Sequence, residues 1–538
     1  MGKVQQRVLT AWAIFSLSAA GAPRFYPDDP LTVIPAPQRV EKAKKRKISE
    51  YYDYFYNTFG HPGERNKNGH VIDSREVNTL GEAPDSAWYT NRHAGKRMTI
   101  AELVRGTGNT TPPSPGGKWK VIAGKSEGVT PGLTIEDTRG NKYLLKFDPV
   151  TDPELATGAD TIGAKFFYAL GYNVPENYPI TFDRAQLVIG EKAEFSDTKG
   201  RKRAMNAGDV DFLLTRVPAN PDGSYRALAS RFISGELLGP FRYNGTRRDD
   251  PNDTVPHELR RDLRGLFVFA SWLNHTDAKS SNSMDALVDE GGLRYIRHYL
   301  IDFGAAFGSD SFMAKSPRNG NVYMFDWRTS AKEFFTFGLY TPKWMSADYP
   351  HIRGVGRLES GAFDPEKWHS NYENPAFENC LPVDAYWAAK KVMAFRDDEI
   401  RALVNTGQYS EPAAVDYLTK TLMARRDKIG RTWYSRVLPL EDFEVRENQL
   451  TFVDLAVANK YMPSRTYSWQ WSTFDNATGR KEAIPAETSP HLPRSVQTAA
   501  DGAYYAADIQ AEDPAKRVTV YMRRKGAGYQ IAGIDRTW

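Results

Sequence analysis

An apolar face at helical spacing, Leu259, Leu263, Leu266, Phe267, Ala270 and Leu273, leads without a break into Asn274-His275-Thr276-Asp277-Ala278-Lys279-Ser280-Ser281-Asn282. A helix whose apolar residues recur every three to four positions belongs in a core, so it delivers the polar residues after it to a fixed place. A β-prone run over residues 293–301 then ends in Asp302-Phe303-Gly304. Any fold of this chain must therefore seat His-x-Asp-x-Lys-x-x-Asn at the end of a buried helix and Asp-Phe-Gly at the end of a strand. Asn282 and Asp302 offer oxygen ligands suited to a hard cation, and Asp277 is an acid able to orient a hydroxyl and take its proton. His275 and Asp277 joined by His298 would alternatively suit the metal centre of a hydrolase, but that reading leaves Lys146 and Asn282 without roles.

The upstream chain supplies a second group. Short β-prone runs over residues 118–122, 133–137 and 142–147 are separated by turns, and the loop between the first two carries Gly124, Gly128 and Gly132. Glycine lets a backbone approach phosphate oxygens and aim N–H groups at them. The third run places Lys146 among apolar neighbours, where an ammonium needs a partner because burying it alone is costly. A helix over residues 153–170 follows and stops at Gly171. Its two acids, Glu154 and Asp160, are both able to meet Lys146.

Taken in order, these residues resemble the protein-kinase superfamily, in which H-R-D-L-x-x-x-N precedes D-F-G. The resemblance covers residues 119–440 and is most specific over 272–304. The offset from Asp160 to Gly171 and the closing Gly-Tyr-Asn-Val-Pro-Glu resemble the HipA-like branch of atypical kinases, with the spore-coat CotH-like branch also close. The resemblance implies an α+β, bilobal protein-kinase-like fold, with a β-rich N-lobe, a helical C-lobe and a small C-terminal β domain. It implies ATP with Mg²⁺ or Mn²⁺ as cofactors. Lys146 would hold the α/β-phosphates, paired with Asp160 in preference to Glu154, while Gly124 and Gly128 cover the phosphates. Asp277 would be the catalytic base and Lys279 would touch the transferred phosphate, with Asn282 and Asp302 holding metal. Two departures matter. Thr276 stands where the signature has Arg, so activation through a phosphorylated loop is not expected, and no Ala-Pro-Glu follows Asp302, which leaves protein and small-molecule acceptors both open. The expected activity is ATP-dependent phosphoryl transfer to a hydroxyl; the alternative is an inactive pseudokinase serving as an envelope-associated binding module.

The remaining chain is divided accordingly: 1–20 a signal peptide, 21–118 an irregular extension with one short helix at 99–104, 119–243 the N-lobe, 244–440 the C-lobe and 441–538 a β-rich domain. Within these, strands are expected at 180–182, 186–189, 211–216 and 226–232, and helices at 382–401 and 411–433. Further strands are expected at 449–457, 466–473, 502–509, 518–523 and 528–535, the last two as a hairpin in a sandwich-like appendage. At 538 residues, two or three domains are the expectation. The 71 basic residues nearly match the 66 acidic ones, so no nucleic-acid partner is expected. A single cysteine, Cys380, excludes an internal disulfide or a cysteine metal cluster. Lys3 and Arg7 precede an apolar run to Ala20, too short to span a bilayer, which reads as a secretory signal and an exported protein with no transmembrane segment in its mature chain. Without cleavage the protein would be cytoplasmic.

Overall fold

In the segment ahead of the first strands, two helices are set by their caps. The Ser49 hydroxyl accepts from the Tyr52 amide to start α1 (Glu50–Gly60), and Thr99 and Glu102 form a reciprocal capping box on α2 (Ile100–Arg105). The computed structural model describes residues 22–34, 38–66, 70–108, 111–125, 131–197, 199–337, 339–485 and 488–538. The apolar run read as a signal peptide and Gly128 lie outside the described residues. Helix α1 is an addition to the irregular segment expected from sequence, and it forms over the aromatic cluster at residues 51–56.

Strands β1 (Trp119–Lys125), β2 (Gly132–Glu136) and β3 (Lys142–Lys146) make an antiparallel meander. Asp137 closes the second turn, its carboxylate accepting the amides of Arg139 and Asn141. Helix α3 (Leu155–Ala169) is buried along almost its whole length and ends before Gly171, where φ is 119° and a Cβ would collide with the Tyr89 ring. Next come β4 (Asn177–Phe182), β5 (Leu187–Ser196), β6 (Lys202–Ala204), α4 (Ala207–Leu214) and β7 (Tyr225–Arg231). They complete a seven-stranded sheet of order β4-β7-β3-β2-β1-β5-β6, in which only β1 and β5 run parallel. Residues 211–216, expected as a strand, lie mostly in α4. The reason is local: Asn206 and Asp209 cap one another, and Val210, Leu213 and Leu214 then fall on one helical face against the sheet core.

Beyond the sheet, β8 (Glu236–Gly239) is followed by α5 (Arg261–Leu273) and the hairpin β9 (Ser283–Glu290) with β10 (Leu293–Leu300), ordered β10-β9-β8. Helix α5 is the axis of the largest core, which also takes in Phe377, Trp387, Leu403 and Leu422 from four of the five helices that follow. Those helices are α6 (Trp327–Phe335), α7 (Pro375–Glu378), α8 (Pro382–Met393), α9 (Asp397–Asn405) and α10 (Pro412–Tyr434). The single helix expected over 382–401 is two. Glu399 reaches back to the Arg396 amide at 2.8 Å and starts α9 afresh, while Phe395 turns into the core.

The hairpin β11 (Leu440–Arg446) and β12 (Gln449–Asp454) leads into α11 (Leu455–Ala458), because the Asp454 carboxylate caps the Ala456 and Val457 amides and ends the strand there. Strands β13 (Ser468–Phe474) and β14 (Lys481–Ala483), helix α12 (Arg494–Gln497), and strands β15 (Tyr504–Gln510), β16 (Arg517–Lys525) and β17 (Gly528–Arg536) follow. They form a five-stranded antiparallel sheet, β14-β13-β15-β16-β17, with the last two strands paired as a hairpin. Trp471, Leu440, Leu450 and Val520 share one core between this sheet and the β11–β12 hairpin.

Asp384 at the start of α8 joins two helices. It is fully buried, accepts from Arg261 Nε at 3.0 Å, Arg264 Nη1 at 3.3 Å and the Leu381 amide at 3.0 Å, and so caps α8 while neutralising two arginines of α5. Asp384→Ala strands both cations and should lower unfolding free energy by about 3–5 kcal/mol in urea titrations.

Candidate functional site

Three elements converge on one ammonium. Lys146 ends β3, Asp160 sits one turn into α3, and Asp302 follows β10; Lys146 Nζ donates to Asp160 Oδ2 at 2.8 Å and to Asp302 Oδ1 at 2.9 Å. Glu154, the other acid at the head of α3, turns away to Arg353 Nε at 3.0 Å and the Ser410 amide at 2.8 Å. Burial works against the Lys146 charge, but the two carboxylates outweigh it and raise its pKa above the ordinary lysine value. Lys146 in turn holds the Asp302 carboxyl below the usual carboxylate range. Asp160 is locked from the other side by Asn177 Nδ2 at 2.9 Å and the Phe303 amide at 3.1 Å.

The backbone at Asp302 is in the left-handed region, with φ 63°. A residue other than glycine holds that conformation only when its surroundings enforce it. Here the enforcement is Phe303, fully buried, stacked on Phe167 at 4.9 Å and facing His275 at 5.8 Å. Gly163 of α3 makes room for it, since a Cβ there would lie 2.6 Å from the Phe303 Cβ. Asp302 Oδ2 takes no hydrogen bond from the protein among the described residues, and the side chain is 46% exposed. This carboxylate thus has one oxygen committed to Lys146 and one turned to solvent.

Asp277 sits at the end of α5, just past Asn274, whose φ of 51° turns the chain out of the helix. Its Oδ2 accepts from Asn282 Nδ2 at 2.8 Å, and its Oδ1 from Lys279 Nζ at 2.9 Å and Asn371 Nδ2 at 3.1 Å. The Lys279 ammonium also pairs with Glu50 of α1. Helix α1 lies against this loop through Asp53, which accepts from the Ser280 hydroxyl at 3.0 Å and the Tyr372 hydroxyl at 2.9 Å. His275 is buried and pushed down to about 4, first by burial and then by Lys315, so the imidazole is neutral at ordinary pH.

A cavity of about 180 Å³ opens between the sheet and these groups, lined by Pro131, Gly132, Lys146, Asp160, Leu228, Asp302 and Ser311 among others. Of the residues expected to bind nucleotide, Lys146 and Asp160 are brought together there. Gly124 is not part of that lining: it is the sixth residue of β1, and a Cβ on it would meet Met205 and Leu213 of the sheet core. Asp277, Lys279 and Asn282 form the neighbouring group, and Lys279 also acts electrostatically on Asp302. Asp302, with one oxygen committed to Lys146 and the other free of protein hydrogen bonds among the described residues, offers an oxygen donor of the kind a hard divalent cation takes.

Three participants lay beyond the reach of the sequence. Asn371 reaches Asp277 across 94 positions and Glu50 reaches Lys279 across 229, and no spacing pattern signals either. The third, Lys315, is buried with its Nζ donating to Asn274 O at 2.8 Å, Thr276 Oγ1 at 2.7 Å and Ala305 O at 2.6 Å. It ties the turn after α5 to the chain leaving Asp-Phe-Gly, and it uses the threonine that stands in the signature's arginine position. Burial pulls the Lys315 ammonium down to about 7, from an ordinary value of 10.5. Between those two pH values the unfolded chain binds more protons at this site than the folded one, so folded stability rises with pH across the window and the gain is absent below it. The stability difference between wild type and Lys315→Met should therefore shift in favour of wild type from about pH 7 to about pH 10, as read by guanidinium titrations at each pH.

No family model matches the chain, and no curated protein matches it. Among solved structures it is similar to the Golgi casein kinase, at 8% identity and a TM-score of 0.27, covering 61% of this chain and 73% of that one. A second structure of that kinase, described as having Mn/ADP bound, gives the same identity and TM-score and is covered over 75% of its length. At a TM-score of 0.27 this likeness carries no argument, and the functional reading rests on the residues themselves.

Proposed function

We propose that this chain is an ATP-dependent phosphotransferase that moves a phosphoryl group onto the hydroxyl of a protein or small-molecule acceptor. The observation that carries the reading is Lys146 held between Asp160 and Asp302 beside the Asp277–Asn282 pair. In it, the seven-stranded sheet with α3 is the N-lobe (119–243), α5 to α10 belong to the C-lobe (244–440), and residues 441–538 are an appended β domain.

Each side chain then has a task. Lys146, kept charged by its two carboxylates, binds the α/β-phosphates, and Asp160 fixes its direction. Asp302 and Asn282 would hold Mg²⁺ or Mn²⁺, which supplies charge neutralisation between phosphate oxygens. Asp277 orients the acceptor hydroxyl and takes its proton, with Asn282 and Asn371 fixing its rotamer. Lys279 contacts the phosphate in transfer once Glu50 releases it. Such a centre works by positioning and electrostatics, with little covalent chemistry from the protein. The exported location read from the N-terminal segment belongs to the same proposal.

One observation favours the second reading, a pseudokinase acting as a binding module: Glu50 already occupies Lys279. Purified protein given labelled ATP, Mg²⁺ or Mn²⁺ and cell-envelope extract separates the two. Transfer or autophosphorylation is the expected result, and its absence with both metals would sink the enzymatic reading. Asp277→Asn should lower turnover by about 10²- to 10⁴-fold while calorimetric ATP binding persists. Absence of ATP binding to the wild type would favour the module.

A further inference from the structure

Helix α1 is inverted for a helix on a protein surface. Its buried positions are the polar Asp53, Asn57 and Thr58, while Tyr51, Tyr52, Phe55 and Phe59 face outward, Tyr51 with 80% of its surface exposed. The orientation is specified by bonding. Asp53 holds Ser280 and Tyr372, Thr58 donates to Glu373 Oε2 at 2.7 Å, and Glu50 pairs with Lys279. Rotating the helix to hide its rings would break all of these, so the aromatic face stays outside.

The rings do not stand singly. Phe59 meets Phe325 at 5.3 Å, and next in the chain α6 exposes Trp327, Phe334 and Phe335, followed by Phe337 at 93% exposed. Monomeric proteins rarely leave so many large rings outside without a use for them. Basic groups gather around them. Lys42, Lys44 and Lys47, directly ahead of the Ser49 cap, are exposed and their ammonium groups form no ion pair among the described residues, while the Lys44 amide donates to Asp249 at 2.7 Å and Lys45 lies 3.8 Å from Glu236. The Arg242 guanidinium lies over the Tyr52 and Tyr56 rings at 5.7 and 5.4 Å, and Lys332 and Lys343 are exposed in and after α6. The acids of α1 are already engaged, Glu50 by Lys279 and Asp53 in the interior.

From this face we infer that α1, the α6 segment and the basic run at 42–47 dock on an anionic lipid surface. Tyrosine, tryptophan and phenylalanine beside lysines are the composition of a helix lying in a bilayer interface, and anionic headgroups complement the lysines. The exposed lysines complement anionic headgroups, and that charge complementarity favours a lipid surface over a protein partner. No helix among the described residues is long and apolar enough to cross a membrane, so the contact is one of lying on the surface. Docking would set the Asp277 loop about one helix diameter, roughly 10 Å, from the headgroups. The inference stands on the surface alone and holds whether or not the protein transfers phosphate.

A local reporter tests it in the full chain, since the apolar N-terminal segment is the same in every variant. With Cys380→Ala in the background, Tyr51→Cys carries an environment-sensitive NBD label, and Arg480→Cys in the β13–β14 turn carries it as control. Vesicles of phosphatidylcholine with phosphatidylglycerol should blue-shift the label at 51 and leave that at 480 unchanged. Pure phosphatidylcholine should require about tenfold more lipid or more. Adding Phe55→Ser and Phe59→Ser, both at exposed positions, should weaken the response at 51 about tenfold or more. No shift at 51 with either vesicle overturns the inference. So does a shift that grows with protein concentration in the absence of vesicles, which assigns the face to a second copy. A shift produced by vesicle-free protein extract and not by lipid overturns it in favour of a protein partner.

Discussion

An ammonium between two carboxylates sets the geometry around which this molecule is arranged. Lys146, Asp160 and Asp302 come from a strand, a helix and a post-strand turn, and the three are held together by bonds of 2.8 and 2.9 Å. Removing Lys146 leaves two carboxylates facing each other without a cation in a partly desolvated place, which is why the elements carrying them must dock in a single way. The Phe303 amide and Asn177 fasten Asp160 from behind, and Phe303 itself fills the space that Gly163 leaves on α3. The left-handed backbone at Asp302 is the conformational cost of that arrangement, and burial of the adjacent ring sustains it.

The second group, around Asp277, is assembled differently. Its loop is short and local, but the side chains that hold it come from α1, from Asn371 and Tyr372, and from Lys315. The chain ahead of the first sheet is thereby part of the site's architecture. The contacts that fix the polar side of α1 also compel its aromatic side outward, so the order of the loop and the character of the surface above it are one constraint seen from two sides.

Much of this was legible in the sequence. The periodic apolar positions of α5, the alternation around Lys146 and the Gly171 stop gave element positions within a few residues, and Asp160 was preferred to Glu154 as the lysine's partner. Where the reading missed, a side chain overruled a pattern: Asn206 and Asp209 made a helix of residues 211–214, Glu399 broke one helix into two, and Asp454 ended a strand early. Gly124 lies in β1, where a Cβ would meet Met205 and Leu213, so packing of the sheet core is itself a reason for glycine there.

By itself the sequence determined which chemical groups exist and which are local neighbours: the Asp277–Asn282 loop, the Asp302 turn, the lysine strand and its following helix. These follow from backbone hydrogen bonding and apolar periodicity, which act over a few residues. Only the tertiary structure decided which acid Lys146 meets, that Lys315 takes up the threonine in the arginine position, and that α1 closes on the loop with its rings outside. Those choices depend on burial and on polar contacts across 14 to 229 positions of chain, and such contacts leave no period in the sequence to be read.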